Sequence, residues 1–498
     1  MVQENSGVTI KKVSLFAAPI LSLLFIIFFD LSPGHPEITY TAAIAFLMAA
    51  WWITETIPLA VTALIPLILF PAFGIMDGKA VSEQYINHII FIFIGGFMVA
   101  LAMERWNLHK RLALRVLMQF GAHPRYILLG FMLATALLSM WISNTATAMM
   151  MVPIAIAIVS RLEDILGTEK VKKFAVGIFL GIAYSASVGG VATLIGTPPN
   201  LVLVRIFSTA FPNAPEISFA QWFFFAFPLS IAFLFIVWLL LALVFCPAKG
   251  MRIDKEIFIK QHKELGPISF EEKAVLVVFF LLVFLWMFRS DIPIGGFTIP
   301  GWSGLFPKAG FINDGTVAIA MAFILFLIPA KNANMGGSRI MDWKTAAKLP
   351  WNIVILFGGG FALAAGFKDS GLSTWLGEHL QGLASLPPIL IVLSICLLVT
   401  FLTELTSNTA TAQILLPILA ALAVSIKVNP LLLMVPGTLS CSFAFMLPVA
   451  TPPNAIVFGT DRLRVFDMAR MGVILNLIGA VLVTLAVFFL YPAARVAI

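Results

Sequence analysis

The sequence predicts an all-α polytopic membrane protein with about eleven transmembrane helices, two re-entrant helical hairpins and an inverted-topology repeat. Three observations carry this. First, the 498 residues are 60% hydrophobic and 11% charged, with a mean hydropathy of +1.02. A soluble domain is about 45–50% apolar and about 25% charged, and the same figures exclude disorder. Second, the apolar residues fall into runs close to the ~20 residues that cross a hydrocarbon core. Third, a polar string, Ser-Asn-Thr-Ala-Thr-Ala, occurs twice, at 143–148 and 407–412, each time in the middle of a long apolar run.

Spans are expected near residues 13–30, 38–53, 56–72, 87–104, 174–208, 221–246, 270–289, 314–330, 351–368, 429–460 and 467–492. Lys11 and Lys12 ahead of Val13–Phe29 superficially resemble a signal peptide. No small-residue cleavage site follows, so the first helix is read as retained. The runs 126–160 and 387–426 are each interrupted by the polar string. Arg125 and Arg161 flank the first of them, which places both its ends on one side of the membrane. Arms of roughly 15 residues are too short to span, so both runs are read as hairpins that enter and return, with polar tips near the midplane.

Charge tests this layout. With a cytoplasmic N-terminus, all but seven of the 31 Lys and Arg residues fall inside, as the positive-inside rule asks. The exceptions are Lys79, Arg205, Arg289, Lys308, Lys368, Lys427 and Arg495. Reading either hairpin as a pair of spans keeps this parity, whereas a single span would spoil it. The net charge of +7 therefore records topology and is no nucleic-acid footprint. The stretch Lys249–Lys273 reads as a cytoplasmic linker, with a helix on the membrane surface as one form it could take.

The chain also repeats itself. Gly95-Gly96-Phe97 precedes the first string and Gly359-Gly360-Phe361 the second, at an interval of 264 residues shared by Asn144 and Asn408 and by Pro153 and Pro417. Each unit continues to a Thr-Pro-Pro-Asn, at 197–200 and 451–454, the second unit being about ten residues shorter. An odd number of crossings separates the copies, which inverts the second. Inverted repeats with broken helices are secondary-transporter architecture, with the binding site at the repeat interface.

The repeated motifs carry the chemistry. At a hairpin tip one arm ends in free carbonyls and the next begins with free N–H groups. Carbonyls and hydroxyls suit a small cation, and the positive N–H end suits a carboxylate. Non-helical backbone at membrane depth survives only where it is buried in protein or lines a cavity. A single polar string would fit ordinary helix capping equally well, and a lone Pro-Pro a kink; the pairing is the specific signal.

The tips and the two Thr-Pro-Pro-Asn segments contain no Lys, Arg or His. Glu404 is the nearest charge, placed either to structure its tip or to meet a cation. Burying an anion without a positive partner costs many kcal/mol, so an anionic substrate must arrive with cations. Sodium fits oxygen ligands; a proton would need a titratable group in both halves. The expectation is cation-coupled anion transport. Cys246, Cys396 and Cys441 have no metal-ligand spacing, and the six histidines are scattered. Gly358-Gly359-Gly360 reads as close packing. No hydrolase, zinc-protease or phosphate-loop motif occurs.

With these motifs, and with Trp52-Ile-Thr-Glu-Thr-Ile-Pro58 in the early helices, the chain resembles the divalent anion/sodium symporter family, the INDY-type dicarboxylate transporters, over essentially its whole length. The resemblance implies an elevator-type transporter, not an enzyme. It would be a homodimer in the plasma (inner) membrane, with sodium as coupling ion, lipid as its surroundings and no organic cofactor. Residues 1–125 and 270–386 would form the scaffold. Residues 126–246 and 387–498 would be the two transport halves, joined through the linker 247–269.

One sodium site would use Ser139, Ser143, Asn144 and the backbone of Gly196; its counterpart would use Thr403, Ser407, Asn408 and the backbone of Ala450. Substrate would meet Asn144, Thr145, Asn408 and Thr409, with Thr197 and Pro452 nearby. The exchanger branch of the family more often carries Ser-Asn-Thr-Ala-Arg, whereas Thr147 and Thr411 stand here. That favours sodium symport of C4-dicarboxylates such as succinate, malate and fumarate. An exchanger of dicarboxylate or citrate is the nearest alternative, and an anion channel the alternative of another class.

Overall fold

The computed structural model describes residues 2–120, 123–246, 256–294, 297–331 and 339–490. The chain begins with α1 (Val2–Phe28) and α2 (Pro36–Thr54), then the short α3 (Leu59–Thr62) and α4 (Ile65–Ala72). Next come α5 (Gly78–Tyr85), α6 (His88–Arg105) and α7 (Leu108–Gln119). The first hairpin is α8 (Pro124–Ser139) and α9 (Asn144–Leu166). It is followed by a broken helix, α10 (Thr168–Gly190) and α11 (Pro198–Ala210), and then by α12 (Phe219–Phe245).

The second half opens with α13 (Glu256–Glu264) and α14 (Phe270–Met287). A two-stranded antiparallel ribbon, β1 (Ile292–Ile294) with β2 (Phe297–Ile299), leads to α15 (Asp314–Leu327). After α16 (Trp343–Ala346), α17 (Trp351–Asp369) and α18 (Leu372–Leu380), the second hairpin is α19 (Pro388–Thr403) and α20 (Asn408–Ser425). Its broken helix is α21 (Leu431–Cys441) and α22 (Pro452–Phe458), and α23 (Val465–Leu490) ends the fold.

Among the described residues nine helical segments are long and apolar enough to cross a membrane, and the fold is nearly all helix, as expected. Two expectations are corrected in detail. The span at 56–72 is two short helices, because Pro58 precedes the first and Pro66 lies in the opening turn of the second. The runs 174–208 and 429–460 are broken helices, as their Thr-Pro-Pro-Asn strings suggest, and open at 191–197 and 442–451. The second arm of the first hairpin has 23 residues and runs on to Leu166, longer than the sequence reading allowed. Of the linker, only 256–269 is described, and it holds α13; residues 247–255, and the end of the last span beyond 490, lie outside the described residues.

The repeated glycines serve close packing in both copies. A Cβ on Gly95 would lie 2.5 Å from the Ala318 carbonyl carbon, and one on Gly359 would lie 2.4 Å from the Ala63 oxygen. α6 therefore packs backbone to backbone on α15, and α17 on α3. The hairpins are also treated alike. In the first half α10 packs on both α8 and α9, and in the second α21 packs on both α19 and α20. The restart helices cross over: α11 packs on α20, and α22 on α9.

A buried ion pair ties α7 to α14. Arg111 on α7 grips Glu272 with Nε at 2.6 Å and Nη2 at 3.0 Å, and also donates to the Leu265 and Gly266 carbonyls. Glu272 in turn completes the capping box of α14 with Ser269. Both side chains are nearly inaccessible. Truncating one member of such a pair strands the other charge, at a cost of about 3–5 kcal/mol. Arg111→Ala is accordingly expected to lower the thermal unfolding midpoint of the detergent-solubilised protein well below that of Lys110→Ala, one residue away.

Candidate functional site

Each Thr-Pro-Pro-Asn is a helix restart. The threonine is the N-cap and the prolines occupy the first helical positions, where a missing N–H is no loss. The asparagine then reaches back. Asn200 Nδ2 donates to the Val191 and Thr193 carbonyls at 3.3 and 2.7 Å, and Asn454 Nδ2 to the Ala444 and Leu447 carbonyls at 3.0 Å each. Both unwound segments are thus tied to the helix that follows them. The two threonines differ. Thr451 accepts from Asn454 N at 3.3 Å, whereas Thr197 Oγ1 lies 3.4 Å from Ser442 Oγ, so the two half-sites meet at this pair of hydroxyls.

At the first tip, Ser143 caps α9 by accepting from Ala146 N at 3.2 Å. Ser139, four residues earlier and buried, donates to the Ala186 carbonyl at 2.8 Å. One end of the Asn144 carboxamide lies 2.5 Å from Ser139 Oγ and 3.2 Å from both the Ala186 and the Gly196 carbonyl oxygens. Turned with nitrogen inward, the amide donates to both carbonyls. With Oδ1 inward, oxygens of Ser139, Asn144, Ala186 and Gly196 converge, and a small cation can satisfy all four. Ser139, Asn144 and the Gly196 carbonyl come together here, and Ser143 stands beside them as the cap.

The second tip repeats this. Thr403 Oγ1 donates to Asn408 Oδ1 at 2.8 Å and to the Cys441 carbonyl at 2.9 Å. Ser407 is the N-cap of α20, and Ala450 closes the unwound segment with its N–H on the Leu447 carbonyl at 3.2 Å. Asn144, Thr145, Ser407 and Asn408 are half-buried, Thr197 and Thr409 are buried, and Pro452 is exposed at the edge. Among the described residues no group of three or more His, Cys, Asp or Glu is placed to hold a metal ion.

Two contributors escaped the sequence reading. Ala186 and Cys441 offer backbone carbonyls from helices that read as plain apolar runs, and no side-chain signal could have marked them. Glu404 was visible, and the structure shows what it touches. Oε1 accepts from the backbone N–H groups of Phe445 (2.6 Å) and Met446 (2.8 Å) and from Asn476 Nδ2 (2.8 Å), and Oε2 from Leu447 N at 3.1 Å. It structures the unwound segment rather than pointing into the site as a ligand.

Comparison with known proteins agrees with this anatomy. The sodium:sulfate symporter transmembrane region matches residues 10–493. The sodium-dependent dicarboxylate transporter SdcS of Staphylococcus saprophyticus is 44% identical over 497 residues, covering 98% of this chain and 93% of that protein. SdcS of Staphylococcus aureus strain RF122 is 44% identical over 493 residues, covering 97% and 91%. Among solved structures, the Alcanivorax borkumensis YdaH transporter aligns with a TM-score of 0.55 at 14% identity, over 84% of this chain and 91% of that one. Neisseria gonorrhoeae MtrF aligns at 0.54 and 13%, over 86% and 85%. These two speak to the fold. This chain belongs to the sodium:sulfate symporter family of membrane transporters.

Proposed function

We propose that the protein is a sodium-coupled symporter that brings C4-dicarboxylates such as succinate, malate and fumarate into the cell across the plasma membrane. One observation carries the reading: two matching oxygen pockets, at Ser139–Asn144 and at Thr403–Asn408, flank the Thr197–Ser442 contact, and no Lys, Arg or His stands in either tip or broken segment. A dianion there needs cations beside it. The names of the 44% identical relatives support both the ion and the substrate class.

The Asn144 carboxamide suggests how the two are coupled. With the pocket empty, nitrogen faces the two carbonyls. A bound sodium draws Oδ1 inward, and the N–H pair then turns outward, where a substrate carboxylate accepts it. Neither partner binds well alone, which is a coupling free energy between sites. Thr145, Asn408 and Thr409 complete the substrate contacts, with Thr197 and Pro452 alongside. Ser143, Ser407 and the backbone of Ala450 would add the remaining sodium ligands.

Movement follows from the packing. We read the hairpins and their broken helices, 126–246 and 387–498, as a transport unit, and 1–125 with 270–386 as the scaffold, dimerising through the latter. With the N-terminus cytoplasmic and the second unit inverted, the ends of α11 and α20 lie outside. There α11 packs on α17, and α20 on α17 and α18. Lys368 Nζ donates to the Thr209 carbonyl at 2.9 Å, Arg205 Nη2 to Gln84 Oε1 at 2.8 Å, and Ser425 Oγ to the Gly377 carbonyl. On the opposite side, α9 and α22 pack on α10 and on each other, within the transport unit. These bonds bridge the outer seam around a cavity of about 270 Å³ lined by Ile206, Lys368, Gly377 and Ser425. An elevator movement must break these outer contacts.

The test is uptake of labelled succinate into proteoliposomes under an inward gradient of sodium, potassium or choline, each with and without internal succinate. Concentrative uptake that needs external sodium and not internal succinate is expected. Uptake that ignores sodium but needs internal dicarboxylate would make the protein an exchanger, and downhill flux without saturation would make it a channel.

A further inference from the structure

Where α10 begins and α12 ends, the two helices leave a cleft of about 390 Å³. Glu169, Lys170, Lys172 and Lys173 line it from α10, and Val244, Phe245 and Cys246 line it from the end of α12. The helices come close here because Gly177 has no side chain: a Cβ on it would lie 2.8 Å from Phe245 Cβ. α10 opens without a side-chain cap, so the positive end of its dipole adds to the lysines. Arg125, in the first turn of α8, is tied to α12 through its carbonyl, which accepts from Trp238 Nε1 at 2.9 Å. Its guanidinium lies within electrostatic reach of Cys246, and its buried Nε has no hydrogen-bond partner.

The positive charge here is not balanced. Lys172 stands 4.0 Å from Glu169 in an exposed pair, which contributes little, and lies within reach of Asp467. Lys170, Lys173 and Arg125 have no carboxylate partner among the described residues. The sequence that follows Cys246 adds cations rather than anions, with Lys249, Arg252 and Lys255 against Asp254. Positive-inside sorting accounts for lysines at this end of the molecule. It does not account for their gathering beside an apolar track. That track runs along α12: Phe235, Leu239 and Leu243 are spaced four apart and share one face, and all three are exposed, as is Val244. On a membrane-spanning helix such a face is covered by acyl chains.

We propose that this cleft binds the phosphate headgroup of an anionic phospholipid, with an acyl chain lying along Phe235, Leu239 and Leu243 of α12. Lys170, Lys173 and Arg125 meet the phosphate as charges, the way basic pockets between transmembrane helices take lipid headgroups. The apolar track selects lipid over free phosphate, because a bare anion gains nothing from it. The bound lipid joins the start of α8, the start of α10 and the end of α12. It therefore stabilises the folded protein in proportion to its occupancy. None of these groups belongs to the tips or the broken segments, so the lipid site is separate from the ion and substrate pockets.

The test titrates delipidated, detergent-purified protein with phosphatidylglycerol or with phosphatidylcholine of the same chain length, counting bound lipid by native mass spectrometry. For the first lipid bound, the wild type is expected to prefer phosphatidylglycerol at least tenfold. In Lys170→Gln/Lys173→Gln that preference should fall at least fivefold. Both lysines are exposed, so this variant folds as the wild type does. Lys344→Gln/Lys348→Gln removes two exposed lysines from another basic loop and should leave the preference unchanged. Inorganic phosphate in tenfold excess over the lipid should displace less than half of the bound phosphatidylglycerol. A wild type without the preference, or a Lys170→Gln/Lys173→Gln variant that keeps it, would overturn the proposal. Equal losses in the two double variants would also overturn it, as the mark of diffuse surface charge, and full displacement by phosphate would do so as the mark of a free-anion site.

Discussion

Asn144→Ala and Asn408→Ala are each expected to reduce sodium-driven succinate uptake to background while leaving a folded protein. Each carboxamide serves an ion on one side and a carboxylate on the other, so truncation removes two charge-assisted contacts. At about 1.5–3 kcal/mol apiece the loss exceeds a hundredfold. Stability should change little, because both side chains are half-buried and lie at helix starts rather than within packed seams. Uptake by variant proteoliposomes, read beside the elution profile and melting curve of the same preparations, checks both halves of the expectation. Normal uptake by either variant would remove the paired-tip site.

Gly196→Ala should be nearly as damaging, through geometry rather than chemistry. A Cβ at this position would sit 2.4 Å from the Gly190 carbonyl oxygen and 3.0 Å from the Gly190 Cα. Both obstacles are backbone, so no rotamer change can relieve them and the segment 191–197 must shift. The Gly196 carbonyl would then leave the pocket it shares with Ser139, Asn144 and Ala186. Displacing a group by about 1 Å can cost a hundredfold in a finely positioned site. The expected readout is a rise of at least tenfold in the sodium concentration for half-maximal uptake, together with a fall in maximal rate. Gly382→Ala, where the added methyl meets nothing within 4 Å, serves as the control.

How much of this was legible beforehand depends on where the information is stored. The tips were legible because Ser-Asn-Thr is conspicuous inside apolar runs, and the unwound segments because Pro-Pro cannot continue a helix. The pairing of the copies came from their repeated motifs and the constant interval between them. What escaped is held in backbone atoms or in amphipathic surface pieces. Ala186 and Cys441 contribute carbonyls, which every residue has. The helices α7 and α18 were invisible to a search for long apolar runs; Lys110, Arg111 and Arg115 break up the first of them. The partners of Glu404 are N–H groups of Phe445, Met446 and Leu447, whose side chains advertise only hydrophobicity. Pro58 and Pro66 did announce the break at α3 and α4, but the apolar run around them outweighed the signal.

The crossed seating of the restart helices, α11 on α20 and α22 on α9, bears on how the molecule is made. Synthesis runs from the N-terminus, so α11 is threaded into the bilayer long before its partner α20 exists. Until then the polar groups of residues 191–197 are held from within the first half, by Met140, Asn200 and Trp222, and only the Thr197 hydroxyl waits for Ser442. The early half therefore lacks the packing of α17, α20 and α21 against α11 until the late half arrives. The same interlock means that the finished protein cannot lose one half without opening the other. The contacts that join the two halves are thus completed last, when residues 442–458 dock.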